Sequence, residues 1–442
     1  MKLGESPISK LLWYYSLPSL VGTLTNALYN IIDRIYIGQG VGALAISSLA
    51  LTFPIMNLLG AFGMLVGHGA AARVSLLLGN GNTREANAIL PNTLFLSLFF
   101  YLIVSSLTFI FLEPILYAFG ASEQTLPYAS EYLKIIIPGH IFTSLSYAYT
   151  NIMRASGHPL RAMNTLILGA VLNVLLDPLF IFTFNLGIRG AAYATVVSMF
   201  VSCVWIMHFY FRKDNTLTFK TQNTNSSLNL KLMSSILSIG LSSFLLHTAT
   251  SLVNVLMNHT LQRYGGDLAI GAFGIMTSFT SLIVMAIVGM AQGMQPIVGY
   301  NYGAGLYNRV KTTLKYCISI ATIITTLGCI ASLIFPNIIT RMFTTDTELI
   351  NITASGLSIY ASSFFVVGFH VITTNYFQSI GRAGVSIFLS LSRQILLLIP
   401  FIFIFPPIWQ LKGAWLAQPV SNIIAALIAA IILIVHIRKL SK

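Results

Sequence analysis

The sequence predicts an all-α membrane protein: twelve transmembrane helices in two six-helix bundles related by a pseudo-twofold axis along the membrane normal. Three observations carry that expectation. The 442 residues are 56% hydrophobic and only 8% charged, outside the range of soluble globular domains. The chain matches itself at one fixed offset, and its basic residues favour alternate inter-helix segments.

Twelve apolar stretches reach the roughly 20 helical residues that a hydrocarbon core requires. In chain order they centre near Asn26, Gly63, Phe100, Phe142, Val174, Ser202, Val253, Val284, Ile324, Phe365, Leu396 and Ile428. Helix is expected for all of them, because open strands cannot satisfy their backbone groups in lipid. Lys2 to Lys10 is short and polar, and the apolar run from Leu11 is too long for a signal peptide, so the first helix is expected to stay. Glycine-bearing turns are expected at Gly38 to Gly42 and at Leu186 to Gly190.

With the N-terminus inside and twelve spans, the inner segments hold 17 of the 24 lysines and arginines. Arg393 alone is left near a span centre. The asymmetry obeys the positive-inside rule and places both termini in the cytoplasm; the net charge of +13 is thereby accounted for without nucleic acid.

An offset of 224 residues pairs Leu17 with Leu241, Asn30 with Asn254 and Gly42 with Gly266. The same ungapped frame pairs Gly69, Gly79, Gly81, Asn151 and Gly157 with Gly293, Gly303, Gly305, Asn375 and Gly381. Apolar composition alone does not align that many glycines and asparagines. The chain is a duplication, with an N-terminal lobe at 1–211, a polar cytoplasmic connector at 212–231 and a C-terminal lobe at 232–442. Six spans is an even number, so both lobes keep the same orientation.

Of eleven acidic residues, only Asp33 and Asp177 fall within the spans. A carboxylate at bilayer depth costs roughly 2.5 to 3.5 kcal/mol on insertion scales, which makes each a site candidate. Asn173 precedes Asp177 by four residues and shares its helix face. Counting about 1.5 Å per residue from the expected turns puts Asp33 and Thr195 roughly 10 Å deep and Asp177 roughly 15 Å. Oxygens of Asp33, Asn173, Asp177 and Thr195 are therefore expected to converge in one layer, as a hard-cation site for sodium or a carboxylate pair sharing protons. The alternative is that Asp33 merely bonds to neighbouring spans and Asp177 caps a helix before Pro178. Met257 stands at the repeat position of Asp33, and apolar residues stand near that of Asp177, so one lobe alone carries the acids.

Tyr29 to Gly40, YNIIDRIYIGQG, and Leu172 to Pro178, LNVLLDP, followed by Gly190, Ala191 and Thr195, resemble the first, fifth and sixth helices of the multidrug and toxic compound extrusion (MATE) family, in its MepA-like branch, and the resemblance runs over the whole chain. It implies a cation site at Asp33, Asn173, Asp177 and Thr195, supported by Tyr29, Asn30 and Ala191, with a bend at Pro18. It also implies a secondary active antiporter of the plasma (inner) membrane that exports organic, drug-like cations against inward H+ or Na+ by alternating access. No cofactor is implied, the partners are small organic molecules and the lipid bilayer, and a monomer is expected.

Weaker candidates surround that core. Asn26, Asn30 and Asp33 form a polar stripe on the first helix, and Thr250, Asn254 and Asn258 its partner on the seventh. Asn26, Asn254 and Arg393 are candidates for a substrate cleft, or else interhelical bonds and a snorkelling side chain. Arg34 points about 100° away from Asp33 and is expected to snorkel outward. Trp13, Trp205, Trp409 and Trp415 read as interfacial anchors, and Cys203, Cys317 and Cys329 as small core residues. The scattered histidines have no ligand spacing, so no metal site is expected beyond sodium at the cation site. A flippase for lipid-linked saccharides is the competing transporter reading. A membrane hydrolase lacks a nucleophile with its base, so no enzyme is expected.

Overall fold

The computed structural model describes residues 2–212, 215–220 and 228–440, with the side chains at 43, 46, 47 and 50 excepted. Of the connector expected at 212–231, residues 213–214 and 221–227 lie outside the described residues. The described residues form helices and turns, with no strand among them.

The long helices are α1 (Ile8–Gly40), α2 (Ala43–Gly79), α3 (Thr83–Ile110), α4 (Leu126–Ala155), α5 (Pro159–Pro178) and α6 (Gly187–Tyr210). A 74-residue run, Leu230–Gly303, is interrupted at Gly266 and gives α7 (230–265) and α8 (267–303). Then come α9 (Tyr307–Ile334) and α10, whose halves Thr347–Tyr360 and Phe364–Ser379 meet at 54°. The run Ala383–Lys439 breaks at Trp409 and Gln410 into α11 (383–409) and α12 (411–439). Among the described residues, seven helical runs, or eight with the bent pair, are long and apolar enough to cross a membrane; the two longest of them are the interrupted runs. Their exposed side chains include Leu102, Ile110, Leu175, Phe403 and Ile431, the surface a helix presents to lipid rather than to water.

The duplication is visible in the backbone. Gly42 and Gly266 both have left-handed φ, 108° and 66°, as do Gly81 and Gly305 at 73° and 72°. Helices α3 and α9, one repeat apart, are both 28 residues long. A side chain is strained at such φ values, which explains why glycine recurs where the chain turns.

The span expected to centre near Phe365 is bent beside that residue. Thr325 Oγ1 donates to the Phe365 carbonyl at 3.4 Å, and Cys329 Sγ lies 3.5 Å from the Ser362 carbonyl. Such side chains satisfy backbone groups that a bend releases in an apolar setting. All three cysteines are buried and free.

The chain falls into two compact units, Val21–Phe244 and Lys2–Leu20 with Leu245–Lys442. Helix α1 stays helical through Pro18, and the division comes two residues later, between Leu20 and Val21. The first unit has one core around Val66, Tyr149 and Tyr210 and another around Ile37, Tyr132, Ile181 and Ala191. The second packs Leu11, Tyr15 and Met294 in one cluster and Met257, Met276 and Trp415 in another. Trp415 corrects an expectation: Trp13, Trp205 and Trp409 are exposed, but Trp415 is only 1% exposed and its indole faces Gly356 and Met276. Proximity to a span end did not distinguish an outward from an inward ring.

Candidate cation site

Helix α5 brings two polar residues to one face. Asn173 and Asp177, one helical turn apart, are buried, while Val171, just before them, and Leu175, between them, are exposed. Pro178 then withholds a backbone N–H. The helix does not stop there but widens into a π-helical turn, Leu179–Thr183, a common response to a disrupted hydrogen-bond ladder. Asp177 therefore caps no helix end before Pro178. Gly190 packs against this turn so closely that a Cβ there would fall 2.7 Å from the Phe180 carbonyl; only glycine lets α6 begin at that place. The turns are also shorter than expected, since α1 runs on through Gly40 and α6 already begins at Gly187.

Three elements converge. Asn173 Nδ2 donates to Asp177 Oδ1 at 3.3 Å and to Thr195 Oγ1 of α6 at 3.2 Å. The Asp33 carboxylate, from α1, lies within hydrogen-bonding reach of that of Asp177. Asp33, Asn173, Asp177 and Thr195 are 9%, 2%, 0% and 7% exposed. Asp33 Oδ1, Asp177 Oδ2 and Asn173 Oδ1 are buried with no hydrogen-bond donor among the described residues. Three acceptor oxygens, two of them on carboxylates, thus share one dry region. Such oxygens are satisfied by a proton held between the carboxylates or by a hard monovalent cation. Among the described residues no three His, Cys, Asp or Glu side chains gather as a metal site would require.

Tyr29 on α1 is in electrostatic contact with both carboxylates. Ala191 is fully buried in the adjoining core, where its small side chain lets α6 approach. Asn30 and Asn26 are exposed: Asn30 Nδ2 donates to the Asn26 carbonyl at 2.7 Å. The stripe on α1 therefore divides, with Asp33 turned inward. Arg34 is exposed, and its guanidinium lies 5.7 Å from the centre of the Phe53 ring. Pro18 lies outside the first unit.

Sequence reasoning missed Tyr132 of α4. It is buried, close to Asp33, Tyr29 and Asp177, and its hydroxyl comes within reach of Thr195. Its distance from the start of α4 at Leu126, about 9 Å at 1.5 Å per residue, is the same depth signal that selected Asp33. Below the site, a hydroxyl-lined cavity runs between Asn173 and Thr195 at one end and Tyr147 at the other, with Asn26 on its wall. Tyr147 Oη in turn pairs with His68 Nε2 at 2.8 Å. In the second unit Asn254 and Arg393 line a common cavity.

The MatE family model matches residues 18–179 and 239–404. The chain is 27% identical over 428 residues to "Multidrug export protein MepA" of Staphylococcus haemolyticus, covering 97% of this chain and 94% of that one. A Staphylococcus aureus protein of the same name matches at 27% over 429 residues, with the same coverage. A solved outward-facing MATE family transporter of the MOP superfamily superposes with a TM-score of 0.91 at 25% identity, over 99% of this chain and 98% of that one. A MATE structure in the bent conformation gives 0.93 at 25% identity, over 99% and 97%.

Proposed function

The chain belongs to the MatE family, and on that premise we propose that it is a secondary active antiporter that exports organic, drug-like compounds in exchange for an inward H+ or Na+. The family's members are multidrug efflux transporters, and the curated relatives are named for multidrug export. The coupling ion is bound in the first unit at Asp33, Asn173, Asp177 and Thr195. One observation carries this reading: three buried acceptor oxygens, on Asp33, Asp177 and Asn173, share a site without a donor of their own. The positive-inside pattern supports cytoplasmic termini in a plasma membrane. A pyrophosphate-bearing substrate calls for several cations, and the second unit's cavity has Arg393 alone, so the flippase reading is not favoured.

Coupling requires that each ligand bind the two access states with different affinity. Entry of a proton or sodium between the carboxylates cancels charge that otherwise holds α1 and α5 in a repulsive arrangement, and departure of the ion restores it. The site thereby links ion occupancy to the position of α1 relative to α5 and α6. In proteoliposomes with separately imposed pH and sodium gradients, Asp33→Asn and Asp177→Asn are each expected to reduce ion-driven flux of a fluorescent organic cation at least about tenfold at equal protein content. Wild-type flux in both variants eliminates the mechanism.

A further inference from the structure

The second unit has no carboxylate at the repeat position of Asp33. Met257 stands there, 1% exposed in an apolar cluster. The same unit instead holds a partly open cavity with a polar lining. Its one charged lining residue is Arg393, and around it stand neutral polar side chains, among them Thr250, Asn254, Tyr360, Gln394 and Asn422. Val253, Phe273 and Phe364 supply apolar wall.

Arg393 has no anion of its own. No acid lines the cavity, and the ion pairs among the described residues are Lys2–Glu5, Arg73–Glu85 and Arg189–Glu131. Its Nε is buried without a hydrogen-bond partner among the described residues. The titratable side chains that bear on it electrostatically are Tyr360 and His370, and neither offers a negative charge at neutral pH. Its backbone is fixed, since Ser421 Oγ donates to the Arg393 carbonyl at 2.6 Å, and it lies in the π-helical stretch Ser392–Leu398. A guanidinium left unpaired in a low-dielectric cavity is costly, and a bidentate anion is the partner that its planar fork fits.

We propose that this cavity binds the anionic group, a carboxylate or a singly charged phosphate, of an exported amphiphile whose apolar body rests on the aromatic and aliphatic wall. The substrates then include zwitterions and organic acids as well as cations. Export of what binds here rests on the transporter reading; binding itself does not.

The test uses the full-length protein purified in detergent and two dyes, rhodamine B, which has a free carboxylate, and its ethyl ester, which does not. Fluorescence anisotropy is expected to show the acid bound about tenfold more tightly than the ester. In Arg393→Gln the acid falls to within about twofold of the ester; Arg393→Lys, with the charge but not the fork, keeps about a threefold preference. If the glutamine variant does not fold, the lysine variant decides by that intermediate value. Equal affinities in the wild type, or an undiminished preference in the variant, overturns the proposal. So does competitive loss of the acid's advantage on adding phosphatidylglycerol, which assigns the guanidinium to a lipid headgroup. Ester flux that fails in proteoliposomes while the acid preference persists in detergent refutes the transporter reading and leaves the pocket standing.

Discussion

A single oxygen atom decides much at Asp33. Its Oδ1 is buried without a donor, as is Oδ2 of Asp177, and an unsatisfied charged acceptor in such a place costs more than the 1 to 3 kcal/mol typical of a neutral group. Tyr132 adds a refinement. Its hydroxyl approaches Thr195, which in turn accepts from Asn173, so it steadies the oxygens without contributing charge. Tyr132→Phe is therefore expected to raise the ion concentration that half-maximally drives flux by about three- to tenfold, the size of one neutral hydrogen bond, with melting temperature nearly unchanged. An unaltered half-maximal concentration removes Tyr132 from the site. Asp33, Asn173, Asp177 and Thr195 could be picked from the sequence because charge is scarce in the spans and depth can be counted along a helix. Tyr132 could not, since it stands between Glu131 and Lys134, whose charges read as the outer side of the membrane. Asn30 is less legible, because helical spacing fixes a face only to within a turn, and Asn30 bonds back to Asn26.

Among elements, α2 and α7 of the first unit meet through two glycines. A Cβ on Gly69 would collide with the Ile236 carbonyl, and one on Gly240 with that of Leu65. Both obstacles are backbone, so no rotamer change relieves them. Small residues at helix crossings are the device by which apolar helices gain packing in lipid. Gly240→Ala is expected to destabilise by about 1 to 3 kcal/mol, as overpacking does. Gly274→Ala, at a position where an added Cβ meets nothing within 4 Å, is expected to be neutral or slightly stabilising, because glycine is the poorer helix former. Thermal unfolding in detergent compares the two; equal melting temperatures would contradict the crossing. Periodicity in the sequence exposed the helices and their repeat, but neither this contact nor the π-helical turn after Pro178. Both arise from which backbones meet, and hydropathy carries no record of that. Trp415 illustrates the same gap, because an anchor and a core ring have the same composition and differ only in their neighbours.

At the scale of the whole molecule, duplication supplied two units with matching glycine turns and opposite polar equipment, acids in the first and Arg393 in the second. That division determines how voltage acts. Exchange of one proton for one monovalent cation moves no net charge, so the membrane potential contributes nothing and only the pH gradient drives export. Exchange of one proton for a net-neutral zwitterion carries one charge inward, and 100 mV then adds about 2.3 kcal/mol, roughly fiftyfold in accumulation. Proteoliposomes clamped with potassium and valinomycin separate the two cases. With the pH difference held constant, an inside-negative potential of 100 mV is expected to leave export of the rhodamine ester unchanged and to raise the attainable gradient of rhodamine B by up to that factor. Arg393→Gln should slow the approach to that gradient by weakening recognition of the carboxylate, whereas Asp33→Asn should abolish pH-driven export of both dyes. If voltage drives the ester as strongly as the acid, more than one proton enters per substrate, and the division of labour between the acidic and the basic unit does not set the energetics of transport.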